Sequence, residues 1–145
     1  MLHYVVGGTV ITMIGSHLLN ALVSGTVDIL YNSASFAKNG TESNKMIVQI
    51  RKQLDIFDIP IKLQLVTSLM TKAPDNDITK ILEEGLVDLT FKIKTLLESI
   101  DYEISKHNAK WFSGYRNISI DDKIIELESL IKILDGRITL LMNSK

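Results

Sequence analysis

The chain has 145 residues, no cysteine, and three imidazoles: His3, His17 and His107. Thiolate nucleophiles, thiolate zinc sites, iron–sulfur clusters and disulfides are therefore excluded, and a histidine cage lacks ligands. Ser16 precedes His17, but adjacent helical residues point apart, so the two do not form a nucleophile and its base. Glu103 stands four residues before His107 and three before Lys106, which are ordinary spacings for surface pairs. Glu83-Glu84 reads as solvated surface, and Asp121-Asp122 suits the positive end of a helix. Gly7-Gly8 lacks the GxGxxG and GKS/T contexts that cradle phosphate. The basic residues Lys92, Lys94, Lys106 and Lys110 interleave with Glu98, Asp101 and Glu103, as on a solvated helix face. The sequons at Asn39-Gly40-Thr41 and Asn117-Ile118-Ser119 read as turn and cap chemistry. No catalytic, cofactor-binding or metal-ligating residue emerges, and neither a cofactor nor a small-molecule substrate is expected.

The distribution of charge is more informative. Sixteen Lys and Arg face 17 Asp and Glu, a net charge of −1, which argues against a dedicated nucleic-acid binder. A hydrophobic content of 46% supports a packed core. Residues 1–27 carry no charged side chain; the first is Asp28. As one helix this segment would be about 40 Å long, enough to cross the ~30 Å hydrocarbon core with tilt. Val6, Val10, Ile14, Leu18 and Leu22 would form its membrane- or partner-facing stripe. Gly8, Thr12, Ser16, Asn20 and Ser24, spaced by four, would form a small-residue ridge that lets another helix approach. His17 and Asn20 in its middle weaken a spanning role. No basic region precedes the apolar run, as a secretory signal would require.

The remainder reads as helices. Residues 28–43 include Asn32-Ser33-Ala34-Ser35 and Lys38-Asn39-Gly40-Thr41, which is linker material. Met46, Ile47, Ile50, Leu54 and Phe57 recur at helical spacing over 44–58. Pro60 breaks that helix, with Asp58 available to cap the next one over 60–72. Pro74 marks a second break. Over 77–110 the apolar positions Ile78, Leu82, Leu86, Leu89, Ile93, Leu96, Ile100 and Ile104 step by three and four. Over 119–142 the seam is Ile120, Ile124, Leu127, Ile131, Leu134, Ile138 and Leu141, with Ser119 and Asp122 placed as a capping box. A short connection between two such helices predicts an antiparallel hairpin. Trp111, Phe112 and Tyr115 lie in that connection and, with Phe57, are candidate interface anchors.

The expected fold is all-α. An N-terminal apolar, membrane-associated helix (1–27) and a linker (28–43) precede a helical bundle over 44–145 with a long antiparallel C-terminal hairpin. Residues 1–27 and 77–142 together resemble the layout of small membrane-proximal minor capsid proteins of large icosahedral DNA viruses. That resemblance implies a structural, non-enzymatic role in a virion, in contact with other protein subunits and a lipid bilayer. The same layout suits a soluble helical interaction module, or an accessory subunit of an organellar membrane complex, whose first helix is buried by partner proteins.

Overall fold

A computed structural model describes residues 2–6, 9–13, 15–33, 35–36, 45–108 and 120–143, with side chains described from His17 onward except Met46 and Asn108. The elements are strands β1 (Leu2–Val6) and β2 (Thr9–Met13), then helices α1 (Gly15–Asn32), α2 (Lys45–Phe57), α3 (Ile59–Lys72), α4 (Asp77–Asn108) and α5 (Asp121–Asn143).

The first 27 residues are not one helix. β1 and β2 pair antiparallel in the register Leu2↔Met13 to Val6↔Thr9. The run is rich in Val, Ile and Thr, whose branched β-carbons favour strands. Val6, Val10 and Thr12 therefore lie on the hairpin. Gly8 and Ile14 fall outside the described residues, as does the side chain of Ser16. Helix α1 then passes the expected boundary at residue 27 and consumes Asp28–Asn32 before the linker begins. Its stripe of Leu18, Leu19, Leu22 and Val23 is buried inside the chain's own bundle. Thr26 is also buried, its hydroxyl donating to the Leu22 carbonyl at 2.7 Å. Among the described residues no helix is long and apolar enough to cross a membrane.

The rest is an all-helical bundle whose directions follow from named contacts. Gly25 lies against Lys94, Ser33 bonds Asp101, and Ser35 meets Ser105, so α1 and α4 run parallel. A β-carbon at Gly25 would sit 3.0 Å from Lys94 Cε, so the glycine gives that stem room to cross α1. Gly85, early in α4, touches Arg137, late in α5, so those helices are antiparallel. Gln49, Ile50 and Gln53 of α2 face Asp121, Ile124 and Ile125, while Lys62 pairs with Asp135 at 3.0 Å. The α2–α3 arm thus runs with α5. Around the bundle the order is α1, α4, α5, α3, with α3 returning to α1.

Local chemistry sets the breaks. Asp58 adopts φ 54° and ψ 43°, a left-handed conformation that Asp tolerates, and Pro60 follows in the first turn of α3. The Asp58 side chain makes no capping hydrogen bond, contrary to the expected role. Ala73 is extended before Pro74, which ends α3. Asn76 Oδ1 accepts the Thr79 N–H at 2.9 Å and caps α4. Ser119, the first member of the expected capping box, lies outside the described residues.

Leu89, Ile93, Leu96 and Ile100 of α4 are buried, as are Leu127, Ile131, Leu134 and Ile138 of α5; Ile124 is half-buried. The α4 seam differs from the expected one at its start and in its polar members. Ile78 is 71% exposed, so the core begins further along the helix. Polar residues complete it: Thr90 and His107 are buried in step with Leu86, Ile93, Leu97, Ile100 and Ile104. Helix α4 packs most extensively against α1 and only then against α5, so the C-terminal hairpin shares its core with the first helix. Phe57 is 6% exposed and belongs to that core, not to an interface.

The Thr90 hydroxyl is buried without a hydrogen-bond partner among the described residues. Such a group loses its hydration and gains nothing in return. Thr90→Val keeps the shape and removes the unpaired oxygen. It is expected to stabilise the fold by about 1 kcal/mol, read as a higher denaturant midpoint at unchanged m-value.

Candidate functional site

The densest polar assembly lies where the chain leaves α1. The Ser33 hydroxyl donates to Asp101 Oδ1 at 2.6 Å. The Ser35 hydroxyl donates to the Asp101 carbonyl at 3.3 Å and lies 3.2 Å from Ser105 Oγ. Arg51 Nε donates to the Ser35 carbonyl at 2.9 Å. The Phe36 N–H closes a turn on the Ser33 carbonyl, and its ring is buried. A short segment that reads as plain linker in the sequence is thus clasped between α4 and α2. Arg51 is only 9% exposed, an expensive place for a guanidinium unless its donors are used.

Beside this clasp opens a cavity of about 370 Å³. Leu30, Tyr31, Phe36 and Leu54 supply its apolar wall; Arg51, Asp55 and Asp58 supply its polar one. Asp58 and Pro60, at the break between α2 and α3, complete its lining. A serine bonded directly to a carboxylate is not the base-activated nucleophile that acyl transfer needs, because no imidazole stands between the two. The geometry is that of a structural clasp.

Other residues singled out in the sequence are dispersed. His17 is exposed at the start of α1, whereas His107 is buried late in α4. Asn20 and Ser24 line a shallow groove with Val23, Val27, Gln64 and Thr67, where α1 meets α3. Lys92 pairs with Asp88 and Lys94 with Glu98, each at 2.9 Å and one helical turn away. Trp111, Phe112 and Tyr115 lie outside the described residues. Among the described residues no three His, Asp or Glu side chains converge.

Apolar side chains are exposed along the middle of the bundle, at Ile56, Ile61 and Ile133, and at both of its ends. The end from which the hairpin leaves collects the start of α4 and the close of α5. There Ile78, Ile81, Leu140 and Met142 are each more than half exposed. Tyr31, Tyr102 and Ile125 stand exposed toward the other end.

No protein-family description, curated protein or solved structure matches this chain.

Removing the Asp101 carboxylate leaves the Ser33 hydroxyl without its acceptor. Asp101→Ala is expected to cost roughly 1–3 kcal/mol and to speed amide exchange at Ser35 and Phe36 more than in the core of α5. A second expectation concerns pH. Burial, and then the neighbouring Glu84, raise the Glu83 carboxyl above its ordinary range. Folding therefore favours its protonated form. That contribution is complete below the ordinary glutamate value and is lost as pH rises through the higher folded one. Glu83→Gln should raise the melting temperature near neutral pH, and the gain should vanish in a melt at about pH 3.

Proposed function

We propose that this chain is a non-enzymatic structural protein of a larger, membrane-proximal assembly, working by contact at both ends of its bundle. One observation carries the reading. The uncharged hairpin leaves the bundle at the end that also exposes Ile78, Ile81, Leu140 and Met142. Exposed apolar side chains of this kind serve as anchors when a partner covers them. Helix α4, at 32 residues and about 48 Å, gives the bundle the length of a spacer. The sequence layout that resembles small minor capsid proteins of large icosahedral DNA viruses, of which the antiparallel pair α4–α5 remains, suggests the same role, with protein subunits and a lipid bilayer as partners.

Two features favour a peripheral attachment over a spanning one. Leu18 and Leu22 are occupied within the bundle, and no described helix is long and apolar enough to cross a bilayer. The alternative of an interaction module buried by partner proteins rests on the same exposed end.

Hydroxyl-radical footprinting of the native assembly tests the proposal. Ile78, Ile81, Leu140 and Met142 should label at least about tenfold more slowly in the assembly than in the free chain, because a desolvated hot spot excludes the reagent. Equal labelling in both states would overturn the reading. Flotation with neutral and anionic vesicles then assigns the cover: co-flotation that Ile81→Asp abolishes means lipid, and its absence means protein.

A further inference from the structure

The N-terminal hairpin is a sheet of two five-residue strands, and among the described elements its main contacts are between those strands. A two-stranded ribbon is marginal in water; three or more strands, or packing against a helix, are needed for independent stability. Sheet edges that are meant to stay unpaired carry lysine, proline, a bulge or a cover. Residues 2–13 contain no charged residue and no proline, and the register Leu2↔Met13 to Val6↔Thr9 runs without a bulge.

The register also fixes which backbone groups the ribbon itself leaves unused. Val6↔Thr9 closes the ribbon across two residues, so this pair exchanges both hydrogen bonds. Tyr4↔Ile11 and Leu2↔Met13 do likewise by alternation. The N–H and C=O groups of His3 and Val5 on β1, and of Val10 and Thr12 on β2, therefore face outward. Each edge repeats as its own complement under a twofold axis.

We infer that the hairpin is a self-association element, its β1 edge pairing antiparallel with β1 of a second copy to give the strand order β2-β1-β1-β2. The inference rests on the contact function proposed above and names one of its partners. Four strands meet the stability requirement that two do not. The absence of charge over residues 1–27 lets two copies meet without repulsion. Pairing through β1 leaves β2, the strand that precedes α1, on the outside of the four-stranded sheet. The twofold axis passes through Tyr4. His3 then exchanges hydrogen bonds with Val5 of the second copy, and Tyr4 faces its own counterpart in a non-hydrogen-bonded pair.

That geometry is testable because the chain has no cysteine. Two Cα atoms in such a pair are about 4.5 Å apart, within the range that a disulfide spans. Full-length Tyr4→Cys should oxidise in air to a disulfide-linked dimer. Full-length Val6→Cys should cross-link at least about tenfold less, since its counterpart lies four residues, roughly 13 Å, away along the strand. Adding Val5→Pro to Tyr4→Cys removes an outward N–H without touching the ribbon's own ladder, and should sharply reduce the dimer. Equal cross-linking at residues 4 and 6, cross-linking indifferent to Val5→Pro, or a Tyr4→Cys chain that stays monomeric would each overturn the pairing. Footprinting separates the two proposals. Protection of Ile81 and Leu140 in an assembly whose Tyr4→Cys chain stays monomeric sinks the pairing alone. A dimer without that protection sinks the two-ended role alone.

Discussion

Helix α1 must lose its apolar stripe to something, and the partner it finds is α4. Leu18, Leu19, Leu22 and Val23 are each under 10% exposed, worth about 2 kcal/mol apiece in transfer terms. The bundle is organised around that burial. The parallel course of α1 and α4 forces α2–α3 to return antiparallel, and α5 closes the remaining gap. Gly25 leaves room for the Lys94 stem, and the Ser33–Asp101 and Ser35–Ser105 contacts fix the register at the far end. The cavity beside Arg51 opens where the chain leaving α1, tied to α4 through Ser33 and Ser35, meets α2 at Arg51 and Leu54.

The helices from residue 45 onward are legible in the sequence because amphipathic spacing reports burial directly. Leu127, Ile131, Leu134, Ile138 and Leu141 step by four and three, and all five are buried. Proline and its predecessors place the breaks for steric reasons. What spacing cannot report is which neighbour covers a stripe. The seams of α4 and α5 match each other well enough to imply a closed pair, yet α4 spends its widest face on α1. Nor does an apolar pattern reveal polar members of a core. Thr90 and His107 occupy seam positions that a hydrophobic count skips, and Ile78 fits the spacing while lying beyond the last layer of helices.

Residues 1–27 illustrate a different difficulty. Lack of charge reads as one uniform segment, and length alone then favours a helix. The composition changes within it: Val5, Val6, Thr9, Val10, Ile11 and Thr12 crowd the first half, around Gly7-Gly8, whereas leucines dominate the second. That shift is a strand-to-helix signal, weaker than the charge boundary at Asp28 and inconsistent with it. The Ser33–Ser35 clasp had no comparable signal, because its partners Asp101 and Ser105 are distant in sequence and adjacent only once α1 and α4 are side by side.

The same separation has a consequence during synthesis. Ser33 and Asp101 are 68 positions apart, and Ser35 and Ser105 are 70. At roughly 5–20 residues per second, α1 leaves the ribosome several seconds before the face that will cover it. For that interval its leucines and the strand edges ahead of it are presented together on a nascent chain, at the high local density of a polysome. Neighbouring chains on one message are then the nearest apolar surfaces within reach, before any bundle is complete.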